Sequence, residues 1–170
     1  YEDRIGTYLM RITERELTRE ENESVSKYLH TLSDFERISD HAMNIAEAAR
    51  EINQKKLRFT GAAKHELGVL SAAVQEILDV ASRAFFANDV ELAYRVEPLE
   101  ERIDVLCDEL KLHHVERLQS GECSLENGFV FNDLLANFER VADHSSNLAI
   151  ATIELRSDRY DTHEYVINLK

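Results

Sequence analysis

Apolar side chains recur every third or fourth position along most of this chain, the period of helices buried on one face. The first such run, about Glu2 to Glu20, places Ile5, Leu9, Ile12 and Leu17 on one side. Glu21-Asn22-Glu23-Ser24 reads as a polar break, with Ser24 able to cap the next helix. That long second helix carries Leu29, Leu32, Phe35, Ile38, Ala42, Ile45, Ala49 and Ile52 in alternating steps of three and four. After Thr60-Gly61 a third helix is expected over about Ala62 to Ala87, with Leu67, Leu70, Val74, Ile77, Leu78 and Ala81 inward. Asn88-Asp89 breaks it and can cap a fourth, about Val90 to Gln119, using Leu99, Ile103, Leu106 and Leu110. Pro98 lies inside that pattern, so the helix either kinks there or starts near Glu97. Ser120-Gly121-Glu122-Cys123-Ser124 is the clearest loop. A fifth helix over about Leu125 to Arg156 carries Phe131, Leu134, Phe138, Val141, Leu148 and Ile153, and residues 158–170 show no firm period. No strand-like alternation competes, so the fold class is all-α.

The polar positions add a second layer. Asp34-Phe35-Glu36-Arg37-Ile38-Ser39-Asp40-His41-Ala42-Met43-Asn44-Ile45 returns 103 positions later (34 to 137) as Asn137-Phe138-Glu139-Arg140-Val141-Ala142-Asp143-His144-Ser145-Ser146-Asn147-Leu148. Charged residues recur in register as well as apolar ones, which a shared core alone does not require. Glu100-Glu101-Arg102-Ile103-Asp104 similarly echoes Glu2-Asp3-Arg4-Ile5-Gly6. The fourth helix then echoes the first, and the fifth echoes the second. The third has no partner, which implies two three-helix units, the first lacking its opening helix. The halves run over about 1–57 and 60–157, with a tail at 158–170. The opening Tyr1-Glu2-Asp3 falls mid-pattern, as in a fragment of something longer.

Composition narrows the partners. Against 20 basic residues stand 33 acidic ones, a formal charge of -13. That sign disfavours nucleic acid and favours cations, basic partners or plain solubility. The cysteines, Cys107 and Cys123, make no metal-finger spacing and read as free thiols of a reducing cytosol. No run approaches the length of a membrane span, so direct membrane insertion is not expected. With 170 residues the chain fits a single domain. A bundle short of one helix exposes an apolar groove that a neighbouring chain could cover, so homo-oligomer formation is a further expectation.

On a helical wheel Glu36, Asp40, Asn44 and Glu47 fall nearly opposite the apolar stripe, and Glu139, Asp143 and Asn147 repeat the pattern. Glu36/Asp40, Glu139/Asp143 and Glu100/Asp104 are like-charge pairs one turn apart, mildly destabilising in an isolated helix. Two carboxylates at that spacing can share a cation, which turns the repulsion into affinity. His41 and His144 follow the two Asp residues and add a nitrogen ligand if they swing toward the stripe. The plain alternative is a solvated acidic face, neutralised by Arg37 and Arg140. His113-His114 near a helix end complements the dipole, and His30, His65 and His163 suggest no site. No histidine has Glu or Asp three residues before it, as a ferritin-type di-iron bundle needs. Phosphate loops, nucleophile elbows and zinc-protease motifs are also missing, so nothing reads as an enzyme.

The segment Phe35 to Glu47 resembles the signature helix of the PhoU family, and Glu139 to Ala149 resembles its second copy. Gly121-Glu122-Cys123-Ser124, Gly128-Phe129-Val130-Phe131-Asn132-Asp133-Leu134-Leu135 and Tyr160-Asp161-Thr162-His163-Glu164-Tyr165 are similar to the PhoU-like region of bacterial Na/Pi cotransporters. The resemblance implies two pseudo-repeated three-helix bundles forming a regulatory domain on the cytoplasmic side of the plasma membrane, partnered by the transmembrane part of a phosphate cotransporter. It also implies iron or zinc on Glu36, Asp40, Glu139, Asp143, Glu100 and Asp104; the stripe itself offers His41, His144, Asn44 and Asn147 as candidate additional ligands. A free-standing PhoU-type regulator and a metal-free assembly module are the alternatives. Gly6 stands where Asp104 stands in the second half, so the site on Glu36/Asp40 is expected to lack a carboxylate.

Overall fold

A computed structural model describes the backbone of residues 1–167 and the side chains of residues 1–154. Its helices are α1 (Glu2–Thr13), α2 (Arg19–Lys55), α3 (Gly61–Ala87), α4 (Val90–Ala93), α5 (Val96–Gln119) and α6 (Leu125–Ile167). The fold is all-α.

The helix ends show local chemistry deciding where each element stops. The first helix stops at Thr13, earlier than the expected Glu20, and α2 starts at Arg19 rather than after Ser24. Thr18 and Glu21 close a capping box: Glu21 N–H donates to Thr18 Oγ1 at 3.3 Å, and Thr18 N–H donates to Glu21 Oε2 at 2.8 Å. The acidic run read as a break is thus the first turn of α2, where negative charge complements the helix dipole. Ser24 lies inside that helix and donates to Glu20 O at 2.9 Å. Lys56 and Asn88 end α2 and α3 in the left-handed conformation, at φ 53° and 51°. Thr60, Asp89 and Ser124 accept backbone N–H groups at the starts of α3, α4 and α6. The expected fourth helix is broken at Tyr94-Arg95 into a single turn and α5. Pro98 falls in the first turn of α5, where its missing N–H costs nothing. The last helix continues past Arg156 to Ile167. The Tyr160–Tyr165 motif lies outside the residues whose side chains are described.

α2 and α6 form the long antiparallel spine. Among the described residues α1 rests on α2 alone, whereas α3, α4 and α5 all pack on α6. Leu70, Ile77, Phe85, Ile103, Phe131, Leu135 and Leu148 are fully enclosed. Each contributes about 1.5–3 kcal/mol by leaving water. The expected inner faces of α3, α5 and α6 are inward as read. Two expectations for α2 fail: Ala42 and Ala49 are exposed, while Ala48 is buried. The spine demands a stripe through Thr31, Asp34, Ile38, His41, Ile45 and Ala48, turned by about one residue from the purely apolar one. Ile5, expected inward, is 44 % exposed, since among the described residues only α2 packs on α1. Among the described residues no helix is long and apolar enough to cross a membrane.

Candidate metal centre

The second half builds a cluster. Carboxylate oxygens of Glu100 and Asp104 on α5 and Asp143 on α6 lie within 4.8 Å of one another. The one-turn spacing aims the two α5 acids at one flank of α6, and Asp143 meets them because Val141, Ala142 and Ser145 are turned into the core. Asp104 Oδ1 is buried with no hydrogen-bond partner. Burial, then the negative charges of Asp104, Glu97, Asp143 and Glu101, pushes the Glu100 carboxyl up to about 7. Asp104 is also raised, by burial first and then by Asp143, Glu139 and Asp108, with Lys111 opposing.

Glu139 faces the same flank but is neutralised by Lys111 Nζ at 2.9 Å. Asp143 Oδ2 takes Arg140 Nη1 at 3.0 Å, in an ion pair whose Arg is 63 % exposed. Glu97 accepts from the Ser146 hydroxyl at 2.8 Å. Three converging carboxylates, one of them with a desolvated and unpaired oxygen, fit a divalent cation: the charge that makes the arrangement costly would become its ligand set.

The first half builds no such group. Glu36 and Asp40 are exposed on α2, and among the described residues no third acid, His or Cys joins them. The echo aligning Gly6 with Asp104 also fails in space. A Cβ on Gly6 would meet Leu32 at 3.4 Å, two turns along α2 from Asp40. α1 ends seven residues past Gly6 whereas α5 runs fifteen past Asp104, so the two positions meet their partner helices at different levels.

The remaining repeated residues have another use. His41 Nδ1 and Asn44 Nδ2 meet Asn137 Oδ1 at 2.9 and 3.0 Å. One repeat later, His144 Nδ1 and Asn147 Nδ2 meet Asp34 Oδ1 at 2.9 and 2.8 Å. Each repeat thus clasps the first residue of the other, and the two imidazoles stack with centroids 5.9 Å apart. The named atoms of His41, His144, Asn44 and Asn147 bind the two halves together rather than completing the cluster. Sequence reasoning missed this clasp. Its signal is the 34, 38, 41, 45, 48 spacing, a heptad seam with polar members. Also missed were Lys111 and a second latch: Lys27 Nζ donates to Phe85 O and, at 2.7 Å, to Asn88 Oδ1, tying α2 to the end of α3. Burial pushes the Lys27 ammonium down to about 8.

Residues 1–49 and 67–152 match the family model described as PhoU domain. The chain is 30 % identical over 127 residues to the phosphate-specific transport system accessory protein PhoU homolog 1 of Thermotoga maritima, covering 75 % of this chain and 54 % of that protein. It is 25 % identical over 163 residues to the protein named "Putative inorganic phosphate export protein YjbB" of Escherichia coli, covering 95 % of this chain and 30 % of that protein. The chain therefore spans about half or less of these relatives. PhoU from Pseudomonas aeruginosa superposes with a TM-score of 0.83 at 22 % identity, over 92 % of this chain and 75 % of that one.

Proposed function

Because the chain belongs to the PhoU domain family, we propose that it is a PhoU-type accessory domain of phosphate transport, regulatory rather than catalytic, whose second half binds a divalent cation of the iron or zinc kind. The observation that carries the cation reading is the buried, unpartnered Asp104 Oδ1 beside Glu100 and Asp143. Glu100, Asp104 and Asp143 would hold the ion, with Glu139 joining when Lys111 releases it. A bound cation supplies the positive charge that fixes α5 against α6. Glu36 and Asp40 are left out of the site. The accessory role is supported by relatives named as accessory proteins of a phosphate-specific transport system.

A second reading makes this chain the regulatory part of a larger phosphate transporter, on the cytoplasmic side of a sodium-dependent cotransporter. The match of 95 % of the chain to 30 % of YjbB favours it, since the aligned part of that protein is a minor share of its length. Phosphate flux separates function from mere fold. Glu100→Gln with Asp143→Asn, introduced into the full-length protein in cells lacking it, should disturb phosphate accumulation as deletion does. Glu36→Gln with Asp40→Asn should not. Normal accumulation in the first double variant would remove the regulatory role of the cluster.

A further inference from the structure

We propose that Asp34, which lies on α2 in the other half of the molecule, is a positioning residue for the carboxylate cluster, because it holds the turn of α6 that carries Asp143. The inference rests on the cation reading above. Asp34 is 14 % exposed and accepts from both His144 and Asn147, two residues one turn apart on α6. His144 directly follows Asp143. On its other flank this turn reaches α5 through Ser146 and Glu97. The Arg140–Asp143 pair lies within α6 and cannot fix that helix against its neighbours.

Rotation of α6 is the sensitive coordinate. A carboxylate sits roughly 6 Å from its helix axis, so turning the helix by about 20° carries it about 2 Å. Cation–oxygen bonds are themselves only about 2.0–2.6 Å long, and a working site tolerates errors of about 0.5 Å. Two hydrogen bonds donated to a half-buried acceptor on α2 are well placed to prevent that turn. The reciprocal clasp shows which chemistry suffices: at Asn137 an amide oxygen holds His41 and Asn44 with the same geometry. Asn at position 34 should therefore preserve the hold, and Ala should abolish it.

The test titrates Zn2+ into the purified chain by calorimetry at pH 7.5 and follows amide hydrogen exchange over residues 139–147 without metal. Asp34→Ala should weaken Zn2+ binding about tenfold or more and speed that exchange, while Asp34→Asn restores both. Ile52→Ala, an α2 variant two turns beyond the clasp that loosens the packing on Ala48, Val130 and Leu134, should leave Zn2+ affinity within about twofold of wild type. Wild-type affinity and exchange in Asp34→Ala, with wild type binding Zn2+, would overturn the positioning role alone. Equal weakening by Ile52→Ala would also overturn it, since general loosening would then explain the effect. A wild-type chain that does not bind Zn2+ would sink the cation reading and this inference with it.

Discussion

α2 and α6 carry one motif in two surroundings. Leu32 is half-buried where its counterpart Leu135 is fully enclosed. Met43 is 52 % exposed against 6 % for Ser146, and Ala42 is exposed where Ser145 is enclosed. Asp40 stands in solvent, whereas Asp143 meets two acids of α5. The helices are alike; what packs on them is not. α3 and α5 lie on α6, while α2 has α1 and α6. A repeated motif therefore repeats a helix and its seam. A site arises only where a neighbouring helix brings further ligands and removes water.

The largest expected effect sharpens that contrast in stability. Leu135→Ala should cost about 3 kcal/mol in urea unfolding and Leu32→Ala roughly half as much, since a cavity forms only at the enclosed position. Equal losses would mean the two halves are equally well packed. Glycines give a second contrast. A Cβ on Gly128 would lie 2.8 Å from Nε2 of the enclosed His114, whereas on Gly6 it would meet only the tip of Leu32 at 3.4 Å. Gly128→Ala should therefore destabilise by about 1–3 kcal/mol. Gly6→Ala should be neutral or stabilise by up to about 1 kcal/mol through helix propensity. Melting temperatures of the two variants, measured side by side, check both.

Protonation of the cluster comes next. Glu100 is raised from 4.5 to about 7, so the folded chain holds that proton more tightly than the unfolded one. Without metal, stability contributed at this residue is present at low pH and is lost as pH rises from 4.5 to about 7. Glu100→Gln should therefore raise the melting temperature at pH 8 and leave it nearly unchanged at pH 4.5. Cation affinity has the opposite slope, weakening as pH falls below about 7 and Glu100 takes a proton. Smallest is the Lys111–Glu139 pair, with side chains 42 % and 32 % exposed. Lys111→Met should change stability by less than about 1 kcal/mol. A much larger loss would make the pair a structural part of the α5·α6 contact.

Most of the fold was legible because it rests on periodicity. The faces of α3, α5 and α6 follow their apolar spacing, and Asn88, Thr60 and the Ser120–Ser124 loop punctuate where such residues usually do. Periodicity failed where polar residues do apolar work. Thr31, Asp34 and His41 belong to the buried seam of α2, so a purely hydrophobic reading turned that helix onto Ala42 and Ala49. The capping box of Thr18 and Glu21 was written in the sequence but hidden in a run of acids that looked like a break. For the site, the repeated acids were read as carboxylate pairs, and among the described residues the structure brings only Glu100, Asp104 and Asp143 together. Which pair gains a third carboxylate depends on the level at which α1 and α5 meet their partners, and that is set by how far each helix runs before its turn, seven residues past Gly6 and fifteen past Asp104, rather than by the motif. The similarity of Gly6 to the Asp104 position was a one-dimensional echo without a spatial counterpart.

Cation binding by one half of the repeat and not by the other is the central claim. Elemental mass spectrometry of the purified chain after incubation with Fe2+ or Zn2+ and removal of free metal, run in parallel on wild type, Asp143→Asn and Asp40→Asn, tests it directly. The expected result is near-stoichiometric metal in wild type and in Asp40→Asn, and little in Asp143→Asn. Metal-free wild type, or equal loss in both variants, would contradict it and leave the acidic cluster as a solvated flank of a helical assembly domain.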